Sequence, residues 1–306
     1  MPTLQQLRYL VAIADTLHFR RAAELSHVTQ PTLSGQLSEL EKKLGVQLVE
    51  RSRARVILTP IGAEISTRAR VILRDVQDIV SLAKHDQTLL GGTIRVGILH
   101  SLGPYLLPHI LPELRQTYPN LRLYVREAMP RMLLTGLDEG NLDLLLFPAP
   151  VKGADLESVP LFREPLWVVV PRDHRLAKRK HVDRSDLEGE TVLSLEQGHR
   201  LHDQVRDLCD QYGTKLSLDY EGTSLDTLRQ MVGMGMGLSF LPALYVRAEV
   251  LDDQQVVALP LRTRAPFRSI GMIWRRHSAR TEEFSALAAL VRGILRGRTP
   301  EVTVMQ

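Results

Sequence analysis

The segment from Phe19 to Leu44, FRRAAELSHVTQPTLSGQLSELEKKL, limits the fold more than any other part of the chain. Its apolar residues recur at helical spacing in two runs, His18 to Ser26 and Thr29 to Leu44. Ala22 and Ala23 allow two helices to cross closely and steeply, as a helix-turn-helix requires. Thr29 is placed to cap the second helix, and Pro31 falls in its first turn, where a missing N–H costs nothing. Leu33, Leu37, Leu40 and Leu44 form its buried stripe, which leaves Gln30, Thr32, Ser34, Gly35, Gln36 and Ser38 outward. Gly45 ends it.

The flanking residues complete a small domain. Leu4, Leu7, Leu10, Val11 and Ala14 predict a preceding amphipathic helix, and Val46, Leu48 and Val49 are expected to return to the core. Arg51 to Arg55 followed by Val56-Ile57-Leu58 reads as a hairpin with a basic tip. Arg51, Arg53 and Arg55 alternate, so a strand would point all three one way. Residues 1–60 hold eight Lys or Arg against five acids. Short donors and acceptors at the start of an exposed helix, beside a basic wing, suit the edges of bases and the phosphates of double-stranded DNA. Gln30, Thr32, Ser34 and Gln36, with Thr29 and Pro31 at the helix start, are the expected groove contacts. Arg20, Arg21, Arg51, Arg53 and Arg55 are the expected phosphate contacts, with pairing to Glu24 or Glu50 as the alternative use.

Thr59-Pro60 opens a long helix from Ile61 to about Gln87, with Ile65, Ala69, Ile72, Val76, Ile79, Val80 and Ala83 close to a heptad seam. Such a stripe needs a partner, and a dimer coiled coil serving as linker is the expectation; packing on the same chain is the alternative. After Gly91-Gly92 the pattern alternates strands and helices to the end, which implies an α/β fold. Val159–Phe162 and Leu166–Val170 are expected as separate strands.

Composition narrows the function. The single cysteine, Cys209, excludes an internal disulfide and any cysteine-based zinc site. His199 and His202 lack a third ligand nearby and read as a loop and a helix-surface histidine, so neither a metal nor another cofactor is expected. The chain shows no nucleophile elbow, phosphate loop or HExxH, so an enzyme is not expected. It begins without a basic–apolar leader, and no apolar run approaches the ~18 residues of a membrane span. A cytoplasmic protein without a membrane partner is the expectation.

HFRRAAELSHVTQPTLSGQLSELEKKLGVQLVER, followed by LTPIGAE, resembles the winged helix-turn-helix of LysR-type transcriptional regulators. The resemblance covers nearly all of the chain. It implies an α/β protein with an N-terminal all-α winged helix-turn-helix over 1–60 and a linker helix over 61–90. A periplasmic-binding-protein-like regulatory module then fills 91–306. That module has two subdomains, I at about 91–162 and 267–306 and II at about 163–266, with chain crossings near Phe162–Leu166 and Arg264–Arg268. It further implies a homotetramer, a dimer of dimers, on an interrupted inverted repeat, with RNA polymerase and a small-molecule effector as partners.

GPYLLPHILPEL, EGTSLDTLRQMV, LSFLPAL and the run Gly198 to Gln204 resemble the peroxide-sensing branch of the family. In that branch the residue after Gly-His is the peroxide-reacting cysteine, and a cysteine nine positions on resolves it. This chain has Arg200 and Cys209 at those places. Ser101 stands for a threonine, and Pro130 for a polar hydroxyl residue. The disulfide switch therefore does not carry over.

The cleft between subdomains is the expected effector site. Ser101-Leu102 and Thr223-Ser224 begin helices and offer hydroxyl and N–H groups to an anion, with Pro130 and His199 beside them. Arg200 would add a fixed positive charge, so a small anionic effector is expected. The competing expectation is that Ser101 and Thr223 only cap helices and Arg200 pairs with Glu196, Asp203 or Asp207. Two other readings stay open: an oxidant response through Cys209 alone, and effector-independent DNA binding.

Overall fold

A computed structural model describes residues 1–51, 55–84, 90–151, 155–262 and 265–305. The chain divides into two compact units, Met1–Thr88 with Asp138–Asn141, and Leu89–Leu137 with Leu142–Gln306.

The first unit opens with α1 (Leu4–Thr16), whose N-cap Thr3 and Gln6 form a reciprocal capping box. Its buried face is Gln6, Leu7, Tyr9, Leu10 and Ile13, while Leu4 is exposed. The helix thus turns slightly from the expected stripe and brings Tyr9 and Ile13 into the core. α2 (Phe19–Leu25) packs Ala22 and Ala23 inward. α3 (Gln30–Leu44) starts at Thr29, whose Oγ1 accepts from Thr32 N at 3.4 Å, and ends at Gly45 in the left-handed conformation. A cap of this kind is worth about 1 kcal/mol. Leu33, Leu37 and Leu40 are fully buried against α1 and α2. β1 (Val49–Arg51) and β2 (Val56–Leu58) form the hairpin, Val49 opposite Leu58. Leu48 and Val49 are buried, but Val46 is exposed.

α4 (Pro60–Lys84) is capped by Thr59, whose Oγ1 accepts from Gly62 N at 3.0 Å. It packs on α1, with Ala69 buried and Arg70 paired to Asp15 at 2.5 Å. Ile72 and Ile79, from the same heptad stripe, are exposed. The near end of the stripe therefore uses the chain's own domain, and the far end presents apolar surface.

The second unit is built on one mixed sheet. β3 (Gly92–Ile98), α5 (Gly103–Thr117), β4 (Leu121–Glu127), α6 (Pro130–Asp138) and β5 (Leu144–Pro148) begin it, with β3 parallel to both β4 and β5. β6 is one strand of 16 residues, Leu156–Pro171, where the sequence suggests two. Short elements follow: β7 (Thr191–Val192), α7 (Arg200–Tyr212), β8 (Lys215–Leu216), α8 (Leu225–Gly233), β9 (Ser239–Pro242), α9 (Ala243–Glu249) and β10 (Val256–Leu259). β11 (Phe267–Arg275), α10 (Thr281–Arg298) and β12 (Thr303–Val304) close the chain. Of these, β8, α9, β10 and β12 are not anticipated by the sequence pattern.

Two apolar cores flank β6. One holds Ile94, Ile98, Phe147, Phe162 and Trp274, packed under α5 and α10. The other holds Val168, Val170, Leu193, Leu208, Cys209 and Phe240. The first half of β6 pairs with β11 and the second half with β9 and β10. Between them, Pro165 faces Phe267 and Glu164 faces Arg268 in the ladder.

A Cβ on Gly62 would lie 2.0 Å from the Leu48 carbonyl oxygen, whereas one on Gly35 would meet nothing within 4 Å. Gly62→Ala is expected to lower stability by about 1–3 kcal/mol through forced backbone displacement. Gly35→Ala, in an exposed helix interior, is expected to raise it by about 0.5–1 kcal/mol. Urea denaturation of the two variants checks both signs.

Candidate functional site

The N-terminal unit presents α3 by its first turns. Thr29, Gln30, Pro31 and Thr32 are exposed at its start, with Ser34 and Gln36 half-buried one turn on. Gln36 Oε1 accepts from Nε2 of the buried Gln6 at 3.2 Å, so its amide is held by α1. Arg21 is exposed, and Arg20 bonds Glu24 Oε1 at 3.2 Å, the pairing weighed from the sequence. Arg51 lies in β1, Arg55 is exposed just before β2, and Arg53 lies outside the described residues. Glu41 Oε1 accepts from Leu48 N at 2.9 Å and Val49 N at 3.2 Å, which ties α3 to the base of the hairpin.

In the second unit a cavity of about 390 Å³ opens between the two cores. One wall is His100, Ser101, Pro104, Tyr105, Glu127 and Met129. These follow the carboxyl ends of the parallel strands β3 and β4, where open α/β sheets place ligands. The other wall is Glu196 together with Thr223, Ser224, Leu225 and Asp226 at the start of α8. Ser101, Thr223 and Ser224 are thus brought together. Leu102 is fully buried in the first core, and Pro130, buried at the start of α6, does not line the cavity.

The serines have different duties. Ser224 Oγ caps α8, accepting from Asp226 N at 3.2 Å. Ser101 caps no helix. Its Oγ and carbonyl oxygen accept from Nη1 and Nη2 of Arg268 at 3.0 and 2.9 Å. Arg268 Nε in turn donates to Glu164 Oε2 at 2.7 Å, and Glu164 Oε1 accepts from Leu244 N at 2.9 Å. Both side chains of this pair are buried. Sequence reading missed them because a charged residue inside a strand pattern looks solvent-facing.

Arg200 is the first residue of α7 and is exposed. Its Nη2 lies 3.5 Å from the Pro150 carbonyl oxygen, and Arg200 does not line the cavity. Asp203 and Asp207, its expected partners, face Arg206 instead, at 4.0 and 3.4 Å. His199 and His202 are both buried rather than at the surface. A ring nitrogen of His202 bonds the Leu195 carbonyl oxygen at 2.7 Å. His199 Nε2 has no hydrogen-bond partner and stands 3.9 Å from Glu196 Oε1. Burial pulls the His199 pKa below its ordinary value against the opposing pull of Glu196, so the ring is neutral at pH 7. Among the described residues no group of three or more His, Cys, Asp or Glu is placed to hold a metal ion.

Residues 4–63 match the family model described as "Bacterial regulatory helix-turn-helix protein, lysR family", and residues 87–296 match "LysR substrate binding domain". The chain belongs to the LysR family. It is a DNA-binding transcriptional regulator with an effector-binding domain. This LysR-type regulator is 40% identical over 299 residues to the DNA-binding transcriptional dual regulator OxyR of Escherichia coli K12, with 98% of each chain covered. It is 36% identical to a probable hydrogen peroxide-inducible genes activator of Streptomyces viridosporus, covering 96% of this chain and 95% of the relative. Among solved structures, a full-length OxyR point variant from Pseudomonas aeruginosa matches with a TM-score of 0.81 at 34% identity. That match covers 99% of this chain and 98% of the other.

Arg268→Met would leave the Glu164 carboxylate buried without its cation. Removing one partner of such a pair costs about 3–5 kcal/mol. Denaturant unfolding of the full chain is expected to show a loss of that size, largely recovered in the double variant with Glu164→Gln.

Proposed function

We propose that this regulator binds an interrupted inverted repeat as a dimer of dimers, reads it with the first turns of α3, and responds to a small molecule held between its two regulatory cores. The observation behind this reading is the start of α3: a capped helix whose exposed first turn carries Gln30 and Thr32. Amide and hydroxyl groups of that kind pair with base edges in the major groove. Ser34 and Gln36 extend the same surface, and Arg20, Arg21, Arg51, Arg53 and Arg55 supply phosphate contacts. The exposed Ile72 and Ile79 of α4 suit burial against a second copy. RNA polymerase is the partner a promoter-bound regulator of this kind acts on, and the cytoplasm is where it meets its DNA. The chain is read as a binding protein and not as an enzyme.

The relatives are named for hydrogen peroxide, which supports a peroxide response as a second reading. Cys209 opposes it. Its thiol is buried, and burial raises its pKa, outweighing the opposing influence of the nearby Thr214 hydroxyl, so the thiol rather than the reactive thiolate is present at pH 7. Arg200 stands in place of the branch's first cysteine.

A gel shift with the promoter beside the protein's own gene tests the first reading. Gln30→Ala is expected to weaken binding to that site by about 1–3 kcal/mol and to relax specificity at one position. Arg21→Ala is expected to weaken all sequences alike and to lower the salt slope by about 1. Sequence-tolerant binding by the parent protein would overturn the reading.

Hydrogen peroxide is expected to leave the footprint unchanged. A shift that Cys209→Ser abolishes would restore the peroxide reading.

A further inference from the structure

The cavity has a charge that the sequence did not suggest. Among the described residues its lining carries three carboxylates, Glu127, Glu196 and Asp226, and neither lysine nor arginine. Arg268 reaches the wall only through Ser101, and its charge is already matched by Glu164. Each lining carboxylate is held by its surroundings. Glu127 Oε1 occupies the space 2.3 Å from where a Cβ of Gly103 would be, against the first turn of α5. Asp226 Oδ1 accepts from the hydroxyl of the buried Tyr245 at 3.1 Å. Glu196 faces the unpartnered Nε2 of His199, a side chain only 6% exposed. Tyr105 adds an aromatic ring to the wall that carries Glu127, packed edge-on to Tyr245 at 5.0 Å between ring centroids.

An anion entering this space would face three like charges in a partly desolvated cleft. A bare metal ion needs ligands converging on one point, and among the described residues these do not converge. Carboxylates spread over two walls, with an aromatic ring on one of them, match an organic cation whose N–H donors point several ways.

We infer that the cavity between the two regulatory cores binds a small organic ammonium compound, held by Glu127, Glu196 and Asp226 and resting against Tyr105. This rests on the reading that the cavity is the effector site, and it replaces the anionic ligand that Arg200 would have served. The two walls belong to different cores, so a ligand with amines at both ends draws Glu127 on one toward Glu196 and Asp226 on the other. That gives binding a way to alter the regulatory unit.

The full-length protein, free of DNA, is titrated with 1,4-diaminobutane and, at matched ionic strength, with succinate, in calorimetric and thermal-shift experiments. Diaminobutane is expected to bind and raise the melting temperature, and succinate to do neither. Glu196→Gln and Asp226→Asn together are expected to weaken diaminobutane binding at least tenfold while leaving the unliganded melting temperature near that of the parent. Binding of succinate in preference, no binding of diaminobutane, or diaminobutane binding that survives the double variant would each overturn the inference. A gel shift run in parallel separates this from the broader reading: intact promoter binding with no amine binding removes the ligand class alone, whereas loss of specific promoter binding removes the regulator reading.

Discussion

The pair between Glu164 and Arg268 is the interaction on which the regulatory unit depends. It sits where β6 and β11 face each other between the two apolar cores. Taking a carboxylate and a guanidinium out of water costs several kcal/mol per ion. The cost is offset because the key atoms are occupied. Glu164 bonds Arg268 with one oxygen and the backbone of α9 with the other, and Arg268 spends its remaining fork on Ser101. One buried group of charges thereby joins both crossing strands, the start of α9 and the loop between β3 and α5. Ser101 is a wall of the cavity, so the geometry of the ligand space is set from behind by the same pair.

The cavity's charge follows from local backbone chemistry. Asp226 stands in the first turn of α8, where the helix dipole favours a negative charge, and Glu127, the last residue of β4, packs its carboxylate against the first turn of α5. The positions that looked ready to bind an anion are thus already served by the protein's own carboxylates. Ser224 is likewise spent on capping. What remains facing the cavity is the outer side of these groups, and it is acceptor-rich.

The DNA-binding head was largely legible in the sequence, because its signals are local. A threonine cap, a proline in the first turn, a leucine stripe and a terminal glycine each act within a few residues, and the structure has all of them in α3. The regulatory unit was legible in order and class but less so in detail. β6 read as two strands because Arg163, Glu164 and Pro165 interrupt its apolar pattern, yet Pro165 still faces Phe267 in the ladder with β11. The cavity was least legible. Ser101, Thr223 and Ser224 were found from helix-start chemistry, but Glu127, Glu196, Asp226 and Tyr105 come together only through the topology. Arg200 misled because its position in the run Gly198 to Gln204 suggested the cavity, while the first turn of α7 carries its side chain toward Pro150.

The unbroken length of β6 has a mechanical consequence. A loop between two bodies bends freely, but a 16-residue strand laddered to β11 on one half and to β9 and β10 on the other does not. Such a ribbon is stiff along its length and yields most readily by changing its twist. The two cores are therefore joined as if by a torsion bar, with a carboxylate–guanidinium rivet at its midpoint. Anything that draws the cavity walls together must wind or unwind that bar, and the register irregularity at Ile270–Gly271 is the place where its pitch already changes.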